Sequence, residues 1–304
     1  MNKILLSVLT FLTLTAVTAH AYDGPRFFLE GDGTLKLAAG KYGKGGTFVY
    51  RDAKNGYDLP TLDKINLAFG MKPAPDEFIH PRLIALLDYL QDQLKGGPIT
   101  IVSGYRSPTY NEGLRKKGKL AAKSSMHIEG MAADIDMQGV DGKTLWEFVR
   151  SLDCCGAGYY HAKGIHVDVG PSRFWDETST KVEQDLGARN KLVIVRTNFD
   201  YFEPKDTVYM TFARVSDYPI GIRPNVRLET VKGKEVAKAT IDKKDLKEEK
   251  GCLILPNRAS LRSVEFDLPE KVKADGKLAV RVDFCEKQFP EMPDSILSNP
   301  ISVR

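Results

Sequence analysis

Histidine is scarce in this 304-residue sequence, with only five positions, so imidazole chemistry has few places to reside. Its four cysteines form no C-x-x-C pair, which argues against a zinc–thiolate site. Beyond the first twenty or so residues no apolar run approaches the roughly 20 residues that a membrane-spanning helix needs. Internal repeats and low-complexity segments are absent, which leaves ordinary globular domains. Lys and Arg are interspersed with Asp and Glu rather than clustered, so a net charge of +4 supplies no basic stripe, and a nucleic-acid partner is excluded. A composition of 42% hydrophobic and 28% charged residues excludes a disordered chain.

The N-terminus carries a leader pattern. Lys3 precedes an apolar run over residues 4–17, and the small-x-small site Ala19-His20-Ala21 follows. This order predicts a signal peptide cleaved after Ala21, because the run is too short for an anchor. The expected localisation is therefore periplasmic or secreted, with no integral membrane segment in the mature chain. An oxidising compartment permits disulfides. Cys252 and Cys285 both lie in strand-like segments and suit one bridge, whereas the neighbours Cys154 and Cys155 are not expected to bond to each other.

Residues 27–29, 35–37 and 47–50 read as short strands separated by glycine turns, a β-meander lead-in covering 22–59. Residues 61–69 and 79–94 read as helices. The second has Ile79, Leu83, Leu86, Leu87, Leu90 and Leu94 at three- and four-residue spacings and stops at Gly96-Gly97. A buried strand over 98–102 leads to Ser103-Gly104-Tyr105-Arg106, and Ser107-Pro108 opens a helix. A strand at 132–137, an amphipathic helix at 144–152 and two strands at 158–160 and 165–169, suited to a hairpin, complete this part. The expected fold class is α+β: a small mixed domain over 60–178 with a central antiparallel sheet. After Trp175 the texture becomes alternating strands without a helix, and an all-β, sandwich-like domain is expected over 190–304, with the boundary near 176–189.

Candidate chemistry converges on a few polar residues. His127 lies in Ser125-Met126-His127-Ile128-Glu129-Gly130-Met131-Ala132-Ala133-Asp134, which enters the strand at 132–137. In Ile165-His166-Val167-Asp168-Val169, strand alternation turns His166 and Asp168 to one face. Two histidines and one aspartate meet the requirement of a catalytic zinc site, three protein ligands and one open position. Each residue taken alone is more simply an ordinary hydrogen-bonded side chain; together with export and the motif they form a site. Arg106 follows a buried strand at a turn, where a permanently charged planar group reaches a pocket. Glu129 is expected to be an exposed loop carboxylate, Asp136 to support Asp134 from the same strand face, and His80 to cap a helix or lie at the surface.

These residues resemble a family. Ser125-x-His127-x-x-Gly130-x-Ala132-x-Asp134, with Ser103-Gly104-Tyr105-Arg106-Ser107-Pro108 before it and Gly158-Tyr159-Tyr160 and His166-Val167-Asp168 after it, is similar to the zinc D-alanyl-D-alanine peptidases and related murein endopeptidases. The resemblance covers roughly residues 27–175. It implies zinc held by His127, Asp134 and His166, and hydrolysis of amide bonds in peptidoglycan stem peptides or cross-links by zinc-bound water. It further implies that Arg106 binds a substrate carboxylate or stabilises the developing charge, with Tyr105 and Ser125 beside it as substrate-binding residues. Relatives usually carry an acid or histidine two or three residues before the third ligand, where this chain has Gly164 and Lys163. His161 and Asp168 are the remaining candidates for proton transfer, and Asp168 alternatively orients a ligand. The missing base leaves a non-catalytic, peptidoglycan-binding module as the alternative, and the partner of the C-terminal strands is unspecified.

Overall fold

The computed structural model describes residues 24–51, 56–72, 74, 77–117, 122–179, 187–244, 246–262, 264–272 and 276–304. The expected leader and half of the expected boundary at 176–189 lie outside these residues.

The N-terminal part is organised around one seven-stranded sheet. In chain order its elements are β1 (Thr34–Leu37), β2 (Gly46–Val49), α1 (Leu59–Ala68), α2 (Pro81–Gln93), β3 (Ile99–Ser103), α3 (Pro108–Lys116), β4 (Ala132–Met137), α4 (Gly142–Ser151), β5 (Gly156–Tyr159), β6 (Ile165–Asp168) and β7 (Arg173–Asp176). The strands lie in the order β2-β1-β3-β4-β6-β5-β7. The sheet is mixed rather than antiparallel throughout: β3–β4, β4–β6 and β5–β6 are antiparallel, but β1–β3 and β5–β7 are parallel. The crossover through α1 and α2 is what lets β3 return beside β1 in the same direction.

Helix α2 shows why the core sits where it does. His80 accepts a hydrogen bond from the Arg82 N–H through its ring at 3.2 Å, and Pro81 occupies the first turn, so the helix starts there. His80 thus caps the helix, as expected, but is buried rather than superficial. Leu83, Ile84, Leu86, Leu87 and Leu90 bury against Leu35, Leu37, Ile99, Ile101, Ile135 and Met137 of the sheet. Asp88, on the same helix, is also buried; its carboxylate accepts hydrogen bonds from Tyr50 Oη at 2.7 Å and the Gly33 N–H at 2.9 Å. That pair of bonds ties the lead-in to α2.

The expected strand at residues 27–29 does not form. Phe27 and Phe28 pack instead on Phe199 and Tyr201 of the C-terminal part, with ring centroids 5.7 and 4.9 Å apart, so burial of two aromatics overrides strand pairing. A strand that sequence reading missed, β7, lies parallel to β5.

The C-terminal part is β-rich and, among the described residues, contains short 3-10 turns but no α-helix. It comprises β8 (Ile194–Thr197), β9 (Tyr201–Phe202), β10 (Thr207–Ala213), β11 (Ile220–Ile222), β12 (Asn225–Thr230), β13 (Glu235–Thr240), β14 (Lys247–Glu249), β15 (Cys252–Leu255), β16 (Val264–Asp267), β17 (Leu278–Glu286), β18 (Ser295–Leu297) and β19 (Ser302–Val303). A β16-β10-β8 sheet and a larger sheet built on β13-β12-β17-β11-β15-β14 share one apolar core, which includes Val195, Met210, Phe212, Phe266, Leu228 and Val280. Cys252 and Cys285 are bridged across 33 residues of chain, with Cα atoms 5.8 Å apart. Cys154 and Cys155 are also paired, against expectation; they follow α4 in a turn where Asp153 takes a positive φ of 49°.

Burial pushes the Asp88 carboxyl up to about 6; the bonds from Tyr50 and Gly33 oppose this, while Asp92 and Asp32 add to it. A folded-state value above the unfolded 3.8 favours folding fully below about pH 4, and that contribution is lost as pH rises through about 6. Urea unfolding across pH 4–7.5 is therefore expected to show about 1–3 kcal/mol of stability lost with rising pH, a slope that Asp88→Asn flattens.

Candidate metal centre

The register of β4 against β6 sets Asp134 directly opposite His166, and that of β3 against β4 sets Ser103 opposite Asp134 across a bulge. Residues opposite each other on neighbouring strands share a face, so both side chains point the same way. His127 arrives from the turn that precedes β4. That turn is closed by bonds from the Ile128 N–H to Ser125 O at 3.0 Å and from the Met131 N–H to Met126 O at 3.0 Å. Gly130 is required within it: φ is 65°, and a Cβ there would run into the Phe78 carbonyl.

Three ligand-type atoms meet as a result. His127 Nε2 lies 3.2 Å from His166 Nδ1 and 3.3 Å from Asp134 Oδ1, and His166 Nδ1 lies 2.9 Å from Asp134 Oδ1. Tetrahedral zinc with bonds of about 2.0–2.1 Å needs ligand atoms about 3.3 Å apart, so the trio fits one face of a zinc tetrahedron. The group could hold a metal ion. All three residues are buried, at 2, 7 and 6% exposure for His127, Asp134 and His166, so none is solvated in place of a partner.

The remaining ring nitrogens are already committed. His127 Nδ1 is 2.8 Å from Gly104 O, an acceptor that fixes the proton on Nδ1 and leaves the Nε2 lone pair free. His166 Nε2 is 2.9 Å from Asp168 Oδ2, which in the same way leaves Nδ1 free. Asp168 is completely buried. It accepts a further bond from the Gly170 N–H at 2.7 Å, and Arg173 Nη2 donates to Oδ2 at 2.5 Å. Burial alone would raise the Asp168 carboxyl, but Arg173 and the His166 bond hold it well below the usual carboxylate range. Burial likewise opposes ionisation of Asp134, and the two histidines overcome it. Burial lowers His127, the charge of Asp134 notwithstanding.

Arg106 stands at the edge of this group. Its Nη2 donates to Asp134 Oδ2 at 2.8 Å, and Ser103 Oγ accepts from Nε at 3.1 Å. Asp134 therefore presents one oxygen to the histidines and the other to a guanidinium. Ser125 Oγ accepts from the His127 N–H at 3.4 Å, and Tyr105 is half-buried, its N–H on Phe69 O at 2.8 Å. His161 is exposed in a 3-10 turn, with Nε2 3.0 Å from Asp176 Oδ1 and its ring 4.3 Å from Tyr159. Asp136 is exposed and does not support Asp134. Glu129 is the reverse of its expected position: it is 5% exposed, because the turn folds its carboxylate toward Arg258 of the C-terminal part.

Sequence reading missed Arg173 and Trp175. Both come from β7, and the Trp175 ring lies tilted beside His166 at 5.1 Å between centroids, with Tyr160 6.4 Å from the same ring. The signal was Gly158: a Cβ there would collide with the Trp175 indole. Asp32, Asp88 and Asp92 also lie close enough to share a cation, but Asp92 and Asp88 already accept the N–H groups of Asp32 and Gly33.

A mixed sheet thus presents two histidines and an aspartate, both imidazoles oriented from behind, as one group that could hold a metal ion. The chain belongs to the superfamily of zinc D-alanyl-D-alanine peptidases and murein endopeptidases. Within it, the family described as peptidoglycan L,D-endopeptidase MepK matches residues 40–175. The peptidoglycan L,D-endopeptidase MepK of Escherichia coli K12 is 33% identical over 123 residues, which covers 40% of this chain and 68% of that protein. A probable peptidoglycan L,D-endopeptidase MepK of Haemophilus influenzae is 39% identical over 83 residues, 27% of this chain and 45% of the relative. The family match stops at the end of β7, before the C-terminal sheets.

Gly158→Ala forces the added methyl into the Trp175 indole. The expected result is a loss of about 1–3 kcal/mol in urea unfolding together with altered tryptophan fluorescence.

Proposed function

We propose that the chain is a zinc-dependent peptidase that hydrolyses amide bonds in the stem peptides or cross-links of peptidoglycan. The observation that carries this reading is the trio of ligand atoms 2.9–3.3 Å apart, backed by bonds that leave one lone pair of each imidazole free. The naming of the relatives as peptidoglycan endopeptidases supports the substrate class. The domain division that goes with it is a peptidase unit over 60–178, preceded by the lead-in, and a sandwich-like unit over 190–304. Export to the periplasm, or secretion, follows from the leader pattern, and the Cys252–Cys285 bridge suits that oxidising compartment.

Zinc bound there would supply Lewis acidity toward an amide carbonyl and lower the pKa of water to about 7. His127, Asp134 and His166 hold the ion. Gly104 O and Asp168 set the two imidazole tautomers, and Arg173 keeps Asp168 ionised for that purpose. With its oxygens occupied, Asp168 acts as an orienting group; His161, the other candidate for proton transfer, has its Nε2 3.0 Å from Asp176 Oδ1. Arg106, beside Asp134, offers a fixed positive charge to a substrate carboxylate or to charge developing on the carbonyl oxygen. Tyr105 and Ser125 are further substrate-binding residues on the strength of the family resemblance.

Incubation of the metal-loaded protein with purified sacculi, followed by chromatography and mass spectrometry of released muropeptides, tests the function. Wild type is expected to release peptides and His127→Ala to release none; digestion by His127→Ala at the wild-type rate, or sacculus binding without products by wild type, would sink it. Asp168→Asn is expected to weaken zinc binding by about 10- to 100-fold in a chelator competition, through loss of the charged partner of His166.

A further inference from the structure

The turn that carries His127 is gripped from outside by the C-terminal part. Arg258 pairs with the Glu77 carboxylate, donates to the Ile128 carbonyl, and sets its Nε 3.3 Å from Glu129 Oε2. Arg262 donates to the Glu129 carbonyl at 2.6 Å, and its guanidinium lies 4.7 Å from the centre of the Phe78 ring. On the opposite flank, Arg196 of β8 donates through Nε to the Val169 carbonyl at 2.7 Å, one residue beyond Asp168. Three arginines from beyond residue 190 thus hold the backbone carbonyls at 128, 129 and 169. Those positions adjoin His127 and the residue that orients His166.

This arrangement is specific in its charge and burial. Glu77 and Glu129 face Arg258 and Arg262, so two negative groups are balanced by two positive ones. Glu129 and Arg262 are nearly inaccessible, and Arg196 is 7% exposed. Guanidinium groups hold several acceptors in fixed directions at once, which suits them to pinning an irregular turn whose carbonyls have no strand partner. The turn needs such a hold, because Gly130 is in a conformation other residues avoid and the His127 side chain must meet two strands at a set distance.

We infer that the C-terminal β-rich part is a structural half of the metal centre, with Arg258 and Arg262 as positioning residues that set His127 against Asp134 and His166. The inference rests on His127 being a metal ligand, as proposed above. It assigns to residues 190–304 a task within the peptidase.

The test uses the full chain and three variants: Arg258→Ala, Arg281→Ala as a control whose partners are Glu229 and Ser295, and His127→Ala. Zinc affinity is read by chelator competition, ligand geometry by the visible absorption of the cobalt(II) form, and stability by urea unfolding, alongside kcat and KM on a soluble muropeptide. Arg258→Ala is expected to raise the zinc dissociation constant about tenfold or more, change the cobalt bands and lower kcat more than it raises KM. Arg281→Ala is expected to lose stability with zinc affinity and cobalt spectrum unchanged. Should Arg258→Ala fail to fold, Glu77→Gln, which loosens the same anchor, is expected to shift affinity and spectrum in the same direction. Wild-type zinc affinity and spectrum in the folded Arg258 or Glu77 variant, or an equal shift in Arg281→Ala, would overturn the inference. Retention of zinc by His127→Ala would instead remove the ligand reading beneath it.

Discussion

Everything in the site depends on the pairing of β4 with β6. One antiparallel register places Asp134 opposite His166, and a slip of a single residue would turn either side chain to the other face of the sheet. That register is held by apolar neighbours: Ala133, Ile135, Ile165 and Val167 are fully buried on these two strands, between the polar residues. The hydrophobic core and the candidate metal centre are therefore specified by the same alternation. His127 is the piece that the sheet does not place, and it depends on a turn, a glycine and contacts from outside.

The polar groups are arranged in layers that pass orientation inward. Arg173 and the Gly170 N–H fix Asp168, Asp168 fixes His166, and the Gly104 carbonyl fixes His127. Asp168, His166 and His127 are buried while Arg173 is one-third exposed, so each inner group needs the next one as partner, and removal of a member leaves a buried polar group uncompensated. Such a chain of dependence explains why a fully buried aspartate next to a ligand is better suited to orientation than to exchanging protons with solvent. It also explains why glycines stand at 156 and 158, where the Asp168 carboxylate and the Trp175 indole approach the β5 backbone too closely for any side chain.

Contacts between the two halves of the chain fall both beside the polar site and at the lead-in and start of α2. Arg82 reaches Asp200 at 2.5 Å, Arg196 reaches Val169, and Arg258 and Arg262 reach the His127 turn. The matched family segment ends at residue 175, and Arg196, Asp200, Arg258 and Arg262 lie beyond it. Phe27 and Phe28 use the same surface, which is why the lead-in that looked like a strand lies as an aromatic anchor instead.

Periodicity and spacing determined the helices α2, α3 and α4, the strands β3 to β6 and the β-rich C-terminal part, while the grouping of His127, Asp134 and His166 as candidates needed the leader pattern and the family motif as well. These are local properties: apolar repeats, caps such as Ser107-Pro108, and two-residue alternation are written in neighbouring positions. Tertiary structure decided what depends on distant partners. It made the sheet mixed, brought β7 with Arg173 and Trp175 beside His166, and assigned Asp168 to a buried ion pair and His161 to Asp176. It also moved Glu129 from a supposed surface loop into contact with arginine 258, 129 residues away along the chain. A carboxylate carries no sequence mark of whether its counter-charge is water or a guanidinium brought in by folding, and only the packed chain supplies that answer.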